Sequence, residues 1–335
     1  MTSSRAIISW LLLSASASGC AGSYLVRQVA GQVEHLAAAR PLAPDGLASA
    51  EYREGLRELD SVLSFARREG FDVGEAYRTF VDLRGRPLVN VLVVCPPDQL
   101  TPVQWSFPVV GSFAYKGFFD REAARREERR WRDQGYETYL GRSPAFSSLG
   151  WFPDPVYSSF FEEGRPDLAD LLLHELTHRT IFVPGETRIN ESLATYVARR
   201  ATEVYLSRLE DGRQDLERYR AEQRDRGRVV SAVARARTEL TLAFQHPNRE
   251  ARLTAKGRIL ADLREALAQA HLESERYVVY SEIEWNLPLL LSFDLYSGDV
   301  ATLDALWEEA GEELPAFLEK FTRGDGIDRL RAARR

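Results

Sequence analysis

The segment from His174 to His178 constrains the fold of this chain more than any other feature. It reads His-Glu-Leu-Thr-His and lies in an apolar stretch, with three leucines directly before it. On an α-helix, residues four positions apart lie on the same face, so both imidazoles can reach one metal ion. Glu175 would lie beside that ion, where its carboxylate can take a proton from water. The pattern predicts a buried helix that carries two metal ligands and a general base.

Two other interpretations of this motif are weaker. The motif could be a surface turn that happens to contain two histidines and a glutamate, but the run Leu171–Leu173 indicates a helix buried on more than one side. It could also belong to a metzincin. That class requires a glycine and a third histidine at the positions where this chain has Ile181 and Pro184.

A third ligand is needed, because catalytic zinc is held by three side chains and keeps a fourth position open for water. Pro184-Gly185 breaks the first helix, and a second helical pattern runs from Asn190 to Arg200. If the two helices pack antiparallel, Glu191 returns alongside both histidines, which is the gluzincin arrangement. Glu186 is the alternative ligand, but it stands in the turn, where an acidic residue is typical of a helix start.

Beyond the histidine motif, further segments along the chain are similar to those of a known protein family. They are Gly19-Cys20, Tyr24–Gln32, Tyr77-Arg78, Asp82-Leu83, Trp105–Pro108, Tyr115–Phe119, Leu149–Pro155, Val183–Thr187 and Asn190–Thr195. With the histidine motif, they make the chain resemble a family of bacterial zinc aminopeptidases of the gluzincin type, many of them lipoproteins. The Arg-rich stretch after residue 200 departs from that family.

The resemblance implies a zinc-dependent peptidase that acts on peptides or proteins, with aminopeptidase as the activity. It implies one Zn²⁺ per chain, held by His174, His178 and Glu191, with Glu175 as the catalytic base.

Five residues are candidates for contacts with the metal ligands or with the substrate: Asn190, Asp154, Tyr115, Tyr277 and Tyr280. Asp154 could accept a hydrogen bond from a ligand imidazole. A tetrahedral oxyanion needs a further donor, and Tyr277 and Tyr280 are candidates by residue type.

The N-terminus has the form of a signal peptide over residues 1–19. Arg5 supplies a positive charge and Ile7–Leu13 is an apolar run too short to span a bilayer. Ala17–Cys20 resembles a lipobox, which predicts a lipid anchor on Cys20 at the periplasmic side of a bacterial envelope. Ala21 instead of Asp after the cysteine favours the outer membrane. The alternative is ordinary cleavage, which would release a soluble secreted protein.

Charge and cysteine count limit the possible partners. The chain has 335 residues and a net charge of −6, so nucleic acid is not expected as a partner. Lipidation of Cys20 would leave Cys95 without an intramolecular partner. Cys95 follows a β-branched run and is most simply a thiol of the core.

The pattern predicts an α+β fold that is mostly helical, in which a small mixed sheet precedes a zincin-type helical region. We divide the chain into residues 20–165, with the N-terminal helices and the sheet, and residues 166–330, with the zinc site and the C-terminal helices. The two parts are expected to form one integrated unit. Predicted helices cover 24–40, 48–69, 120–134 and 301–321, with a hairpin at 202–270 broken at Pro247-Asn248. Predicted strands cover 89–94, 111–118 and 137–140. Residues 277–291 are expected to pack against the zinc helices.

Three functions compete. The first is a zinc peptidase of the envelope, for which the strand Phe113–Phe118 could hold an extended peptide or could be merely structural. The second is a non-enzymatic envelope lipoprotein with a vestigial site, against which the intact Glu175 argues. The third is an endopeptidase or a hydrolase of cell-wall peptides. An open cleft would favour this function and a blocked cleft would favour an aminopeptidase, and the sequence does not show which cleft is present.

Overall fold

The chain is mostly helical with small sheets, as the sequence predicts. The computed structural model describes residues 39–42, 52–107, 111–143, 155–293 and 300–334. Within them the α-helices are α1 Arg53–Arg68, α2 Arg121–Asp133, α3 Arg165–Thr180, α4 Thr187–Ser207, α5 Arg213–Ala243, α6 Arg249–Ala268, α7 Glu275–Glu282, α8 Leu287–Ser292, α9 Val300–Glu309, α10 Leu314–Thr322 and α11 Gly326–Ala332. The predicted helix at 24–40 lies outside the described residues except at its end, where the prediction is wrong because Arg40 belongs to a β-strand.

The strands form three small sheets. Their bounds are β1 Arg40–Pro41, β2 Thr79–Val81, β3 Val89–Cys95, β4 Trp105–Phe107, β5 Gly111–Phe113, β6 Lys116–Phe118, β7 Glu137–Ser143 and β8 Val156–Tyr157. One sheet is mixed, because β2 pairs antiparallel with β1 and parallel with β8. A second has β3 between antiparallel β6 and β7, and the third pairs β4 with β5.

The helices α3 and α4 form the centre of the largest hydrophobic cluster. Leu172, Leu173 and Leu176 on α3 are fully buried, and Leu193 and Val197 of α4 are buried with them. Residues of α1, of the mixed sheet and of α9 to α11 complete this cluster. Apolar burial contributes about 25 cal/mol per Å², so this packing stabilises the contact between the two helices. The boundary proposed at residue 165 stays a prediction.

A second cluster joins the helical hairpin α5–α6 to α7, α8 and Cys95. The break predicted at Pro247-Asn248 is confirmed, since Asn248 caps α6 by accepting a hydrogen bond from the amide of Glu250 at 2.8 Å. The expectation that residues 277–291 pack on the zinc helices is corrected. Their apolar side chains face the hairpin and Cys95, and the preceding residue Arg276 forms an ion pair with Asp167 of α3.

Two predicted elements are each divided. The predicted strand 111–118 is broken at Ala114-Tyr115, because β5 pairs with β4 whereas β6 pairs with β3 of another sheet. The predicted helix 301–321 becomes α9 and α10. Gly311 has a φ of +68° there, and Pro315 in the first turn of α10 lacks an amide proton for helix continuation. None of the described helices combines the length and hydropathy that a membrane-spanning segment requires.

Candidate metal centre

Helix α3 begins at Arg165, ahead of the histidine motif, for local reasons. Gly164 adopts a φ of +92° ahead of the first turn, which a side chain would disfavour, and Pro166 occupies that turn. Asp167 places a negative charge at the positive end of the helix dipole. The buried leucines then fix the rotation of the helix, so that His174 and His178 share one half-buried face.

The turn between α3 and α4 is fixed by Asn190. Its side-chain oxygen accepts a hydrogen bond from the amide of Val183 at 2.8 Å, and its side-chain nitrogen donates to the carbonyl of Val183 at 2.9 Å. Gly185 has a φ of +78°, which lets the chain reverse within the short connection between Thr180 and Thr187. Asn190 therefore holds the first turn of α4 against the end of α3, which brings Glu191 level with the histidines.

The three side chains His174, His178 and Glu191 converge as the sequence predicts and could hold a metal ion. The Nε2 atoms of the two histidines are 3.2 Å apart. The Nε2 atom of His174 is 3.4 Å from Glu191 Oε2, and that of His178 is 3.6 Å from Glu191 Oε1. Ligand atoms bound tetrahedrally at about 2.0–2.1 Å are separated by about 3.3 Å. The donor set and its spacing therefore fit a zinc ion.

The charges of the site favour a cation. Burial alone would raise the pKa of Glu191, but hydrogen bonds from His174 and His178 and their charges lower it to about 2. Burial alone would lower the pKa of His174, but its bond to Glu191 and the charges of Glu175, Glu191 and Asp170 raise it overall. The negative charges of three carboxylates thus act on one imidazole in a half-buried site, which favours a proton or a metal ion there.

Glu186, the alternative third ligand, is engaged elsewhere. Arg331 of α11 donates to its carboxylate at 2.7 Å. This ion pair links the C-terminal helix to the turn that precedes α4, and within the described residues Glu191 is the carboxylate grouped with the two histidines.

A model of the family described as "Putative aminopeptidase" matches residues 23–334. The chain belongs to this aminopeptidase family. Membership supports a peptidase function. No curated protein and no solved structure matched the chain.

The other candidate site residues of this aminopeptidase-family chain lie in different parts of the structure. Tyr115 lies in the turn between β5 and β6 and is 39 % exposed; partial burial and then the negative charge of Glu191 raise the pKa of its phenol. Tyr277 and Tyr280 instead pack in the cluster of the helical hairpin, with their ring centroids 6.1 Å apart. Asp154 lies outside the described residues.

Glu175 is half-buried beside His174, on whose pKa its charge acts. The side-chain amide of Asn190 is used in its two hydrogen bonds with Val183. β6 is one of the two edge strands of its sheet, with β7 at the other edge, and its role in holding a peptide stays a prediction.

Cys95 behaves as the core thiol that the sequence predicts. It is fully buried, and its thiol donates to the carbonyl of Gln99 at 2.9 Å. Burial, with the charge of Glu137, raises its pKa to about 12, so the thiolate required of a nucleophile is scarce at neutral pH.

Sequence reasoning missed two residues next to the site. Asp170 lies four residues before His174 on α3, and Tyr219 of α5 donates a hydrogen bond to its Oδ1 atom. The spacing of four from His174 could have identified Asp170. Tyr219 carries no signal in the sequence, because helix packing alone brings it there.

Proposed function

We propose that this chain is a zinc-dependent peptidase, with aminopeptidase as its activity. The observation that carries the proposal is the convergence of His174, His178 and Glu191 at ligand spacing, in a chain of an aminopeptidase family. The neighbouring Glu175 supplies the carboxylate that such a site needs for proton transfer.

The chemistry divides between the metal and two side chains. Zinc, when bound, supplies a Lewis acid that polarises the scissile carbonyl and lowers the pKa of water towards about 7. Glu175 accepts the proton of the attacking water and passes it to the leaving amine. Tyr115 donates a hydrogen bond to the oxygen that becomes negative as the carbonyl is attacked. The raised pKa of Tyr115 keeps its phenol protonated for that donation.

We further propose that the protein acts on peptides at the bacterial cell envelope. The support is the signal-peptide form of residues 1–19 and the lipobox-like Ala17–Cys20. Lipidation of Cys20 would hold the enzyme at the periplasmic side, with the outer membrane favoured. A Cys20→Ser variant expressed in a Gram-negative host should leave the membrane fraction, whereas equal membrane retention would contradict lipidation at this residue.

A peptide-library assay tests the proposed activity. The full chain with one equivalent of zinc is compared with Glu175→Gln and with Glu203→Gln, a control that removes a charge from α4 at its ion pair with Arg220. Wild type and Glu203→Gln should both cleave the peptides. Cleavage by Glu175→Gln should be slower than theirs by a factor of about 10² to 10⁴, because a general base is lost. Full activity of Glu175→Gln would contradict the proposal.

The same library separates the two kinds of peptidase. Acetylation of the peptide amino terminus should abolish cleavage by an aminopeptidase, which must bind the free amine. Unchanged internal cleavage of acetylated peptides would replace aminopeptidase with endopeptidase and leave the zinc chemistry in place.

A further inference from the structure

Asp170 is a carboxylate near the metal group that the proposed chemistry does not use. The negative charges of three carboxylates raise the pKa of His174, and two of them, Glu175 and Glu191, already serve as base and ligand. Asp170 stands four residues before His174 on α3, and residues four apart lie on the same face of a helix. The half-buried side chains of Asp170, His174 and His178 therefore form one row on the face of α3 that bears the metal group.

Tyr219 of α5 holds one oxygen of Asp170. Its hydroxyl donates a hydrogen bond to the Oδ1 atom, and Tyr219 is only 3 % exposed, so this contact is made away from bulk water. Burial and then the negative charge of Asp170 raise the pKa of Tyr219 well above its usual value, so the phenol stays protonated and acts as the donor. A carboxylate offers about four lone-pair positions, so Asp170 can accept further donors.

A second buried tyrosine that donates to an aspartate shows what Asp170 lacks. Tyr196 donates to Asp304 at 2.7 Å, and Arg200 donates to the same oxygen at 2.9 Å. The arginine compensates the negative charge there. No basic side chain of the described residues forms an ion pair with Asp170, and none donates a hydrogen bond to its Oδ2 atom. The charge of Asp170 is therefore available to a cation that binds from outside the chain.

The position of Asp170 suits the free amine of a peptide substrate. In a peptide, only the Cα atom separates the amino nitrogen from the carbonyl carbon of the same residue, so the two lie about 2.5 Å apart. One helical turn rises about 5.4 Å. When the metal polarises the carbonyl of the first residue, a carboxylate one turn from a ligand histidine can thus reach the amine of that residue. At neutral pH this amine is mostly protonated, because its pKa is about 7.7–8.0.

We propose that Asp170 binds the α-ammonium group of the substrate and thereby selects peptides with a free amino terminus, while Tyr219 holds the carboxylate in place. The inference rests on the proposed zinc peptidase and assigns the residue that would make it an aminopeptidase. An acetylated peptide, or a residue inside a longer peptide, has no charge to pair with Asp170. Its binding would leave the carboxylate desolvated without a partner, which is unfavourable.

Two inhibitors that differ only in the amine measure this contact. Leucine hydroxamate carries the α-amine, and isocaproyl hydroxamate is the same molecule without it. Both bind zinc through the hydroxamate. A hydrogen bond to a charged group typically changes affinity by a factor of about 10 to 100. Wild type should bind leucine hydroxamate more tightly by such a factor, whereas Asp170→Asn should bind both about equally. Isocaproyl hydroxamate should bind wild type and Asp170→Asn alike, because it has no amine for Asp170.

The second tyrosine–aspartate pair provides matched controls. Asp304→Asn changes an aspartate that also accepts from a buried tyrosine, and Tyr196→Phe removes the hydroxyl that donates to it. Both should keep the wild-type preference for the amine. Tyr219→Phe should reduce this preference, because Asp170 loses the hydrogen bond that orients it.

The experiment measures both dissociation constants by isothermal titration calorimetry on the zinc-loaded full chain, with circular dichroism as a check of folding. A wild-type preference for the amine in a folded Asp170→Asn would overturn the proposal. A variant Asp170→Asn that weakens only aminocaproyl hydroxamate, a lysine analogue without the α-amine, would assign Asp170 to a substrate side chain and overturn it as well. Should Asp170→Asn not fold, Tyr219→Phe decides: a preference equal to that of Tyr196→Phe overturns the proposal.

Failure of this inference and failure of the proposed function look different. If zinc-loaded wild type binds isocaproyl hydroxamate but shows no preference for the amine, the role of Asp170 is overturned and the metal site stands. If wild type binds neither zinc nor either hydroxamate, both the role of Asp170 and the proposed function are overturned.

Discussion

The turn clamp at Asn190 makes the most detailed prediction. Its side chain forms two hydrogen bonds with Val183, at 2.8 and 2.9 Å, and Val183 and Asn190 are both buried. Asn190→Ala removes both bonds and leaves the backbone amide and carbonyl of Val183 without these partners. The same change loosens the first turn of α4, where Glu191 faces the histidines.

The magnitude follows from the two bonds. Each hydrogen bond contributes a net ~0.5–1.5 kcal/mol, and a buried group left unsatisfied costs ~1–3 kcal/mol. Partial access of water to the loosened turn reduces the second cost, so we expect Asn190→Ala to lower the free energy of unfolding by about 2–4 kcal/mol. At roughly 2–4 °C per kcal/mol, this corresponds to a decrease in Tm of about 5–15 °C.

Thermal unfolding with and without zinc is the assay, because a ligand that binds only the folded state raises Tm according to its affinity. Asn286→Ala is a matched control: its side chain also bonds two backbone groups, the carbonyl of Thr138 at 3.0 Å and the amide of Leu289 at 2.9 Å, and it lies in the hairpin cluster. Both variants should lose stability, but only Asn190→Ala should gain less from zinc than wild type. Equal zinc stabilisation in the two variants would refute the positioning of Glu191 by Asn190.

Three further predictions concern single groups. Tyr115→Phe should lower kcat by about 10² with unchanged zinc content, because it removes a donor to the developing oxyanion; unchanged kcat would exclude that role. The carboxylates around His174 raise its pKa above 6.5, and zinc binds only the neutral imidazole. Zinc affinity, measured by chelator competition from pH 8 to pH 5, should therefore fall as the pH decreases through that raised pKa. An affinity that does not change with pH would contradict this. Because burial raises the pKa of Cys95 to about 12, iodoacetamide should alkylate it only when the protein is unfolded; rapid labelling of the native protein would show that the thiol is accessible.

The metal group could be predicted because its chemistry is local in the sequence. The spacing of His174 and His178 follows from the helical period, and the short turn forces Glu191 back to the same level. The structure groups Glu191, rather than Glu186, with the two histidines, for a reason that the sequence only partly contains. Glu186 stands in the turn, as predicted, but its pairing with Arg331, 145 residues away along the chain, depends on tertiary packing.

The parts that could not be predicted depend on long-range contacts. Tyr219 meets Asp170 only because α5 packs against α3 and α4, and no periodicity in the sequence indicates this contact. The predicted strand at 111–118 is divided because its two halves join different sheets, which an alternating pattern cannot reveal. Tyr277 and Tyr280 are candidates by residue type alone, and the structure packs them, partly buried, in the separate cluster of the hairpin.

The central claim is that His174, His178 and Glu191 hold one zinc ion. The most direct test is elemental analysis of the purified full chain after incubation with zinc at neutral pH and removal of free metal. We compare wild type with Glu191→Gln, which keeps the size of the side chain, and with Glu186→Gln as the control from the adjoining turn. The account predicts about one zinc per chain in wild type and Glu186→Gln and sharply less in Glu191→Gln. Wild type without stoichiometric zinc, or full retention of zinc by Glu191→Gln, would contradict it.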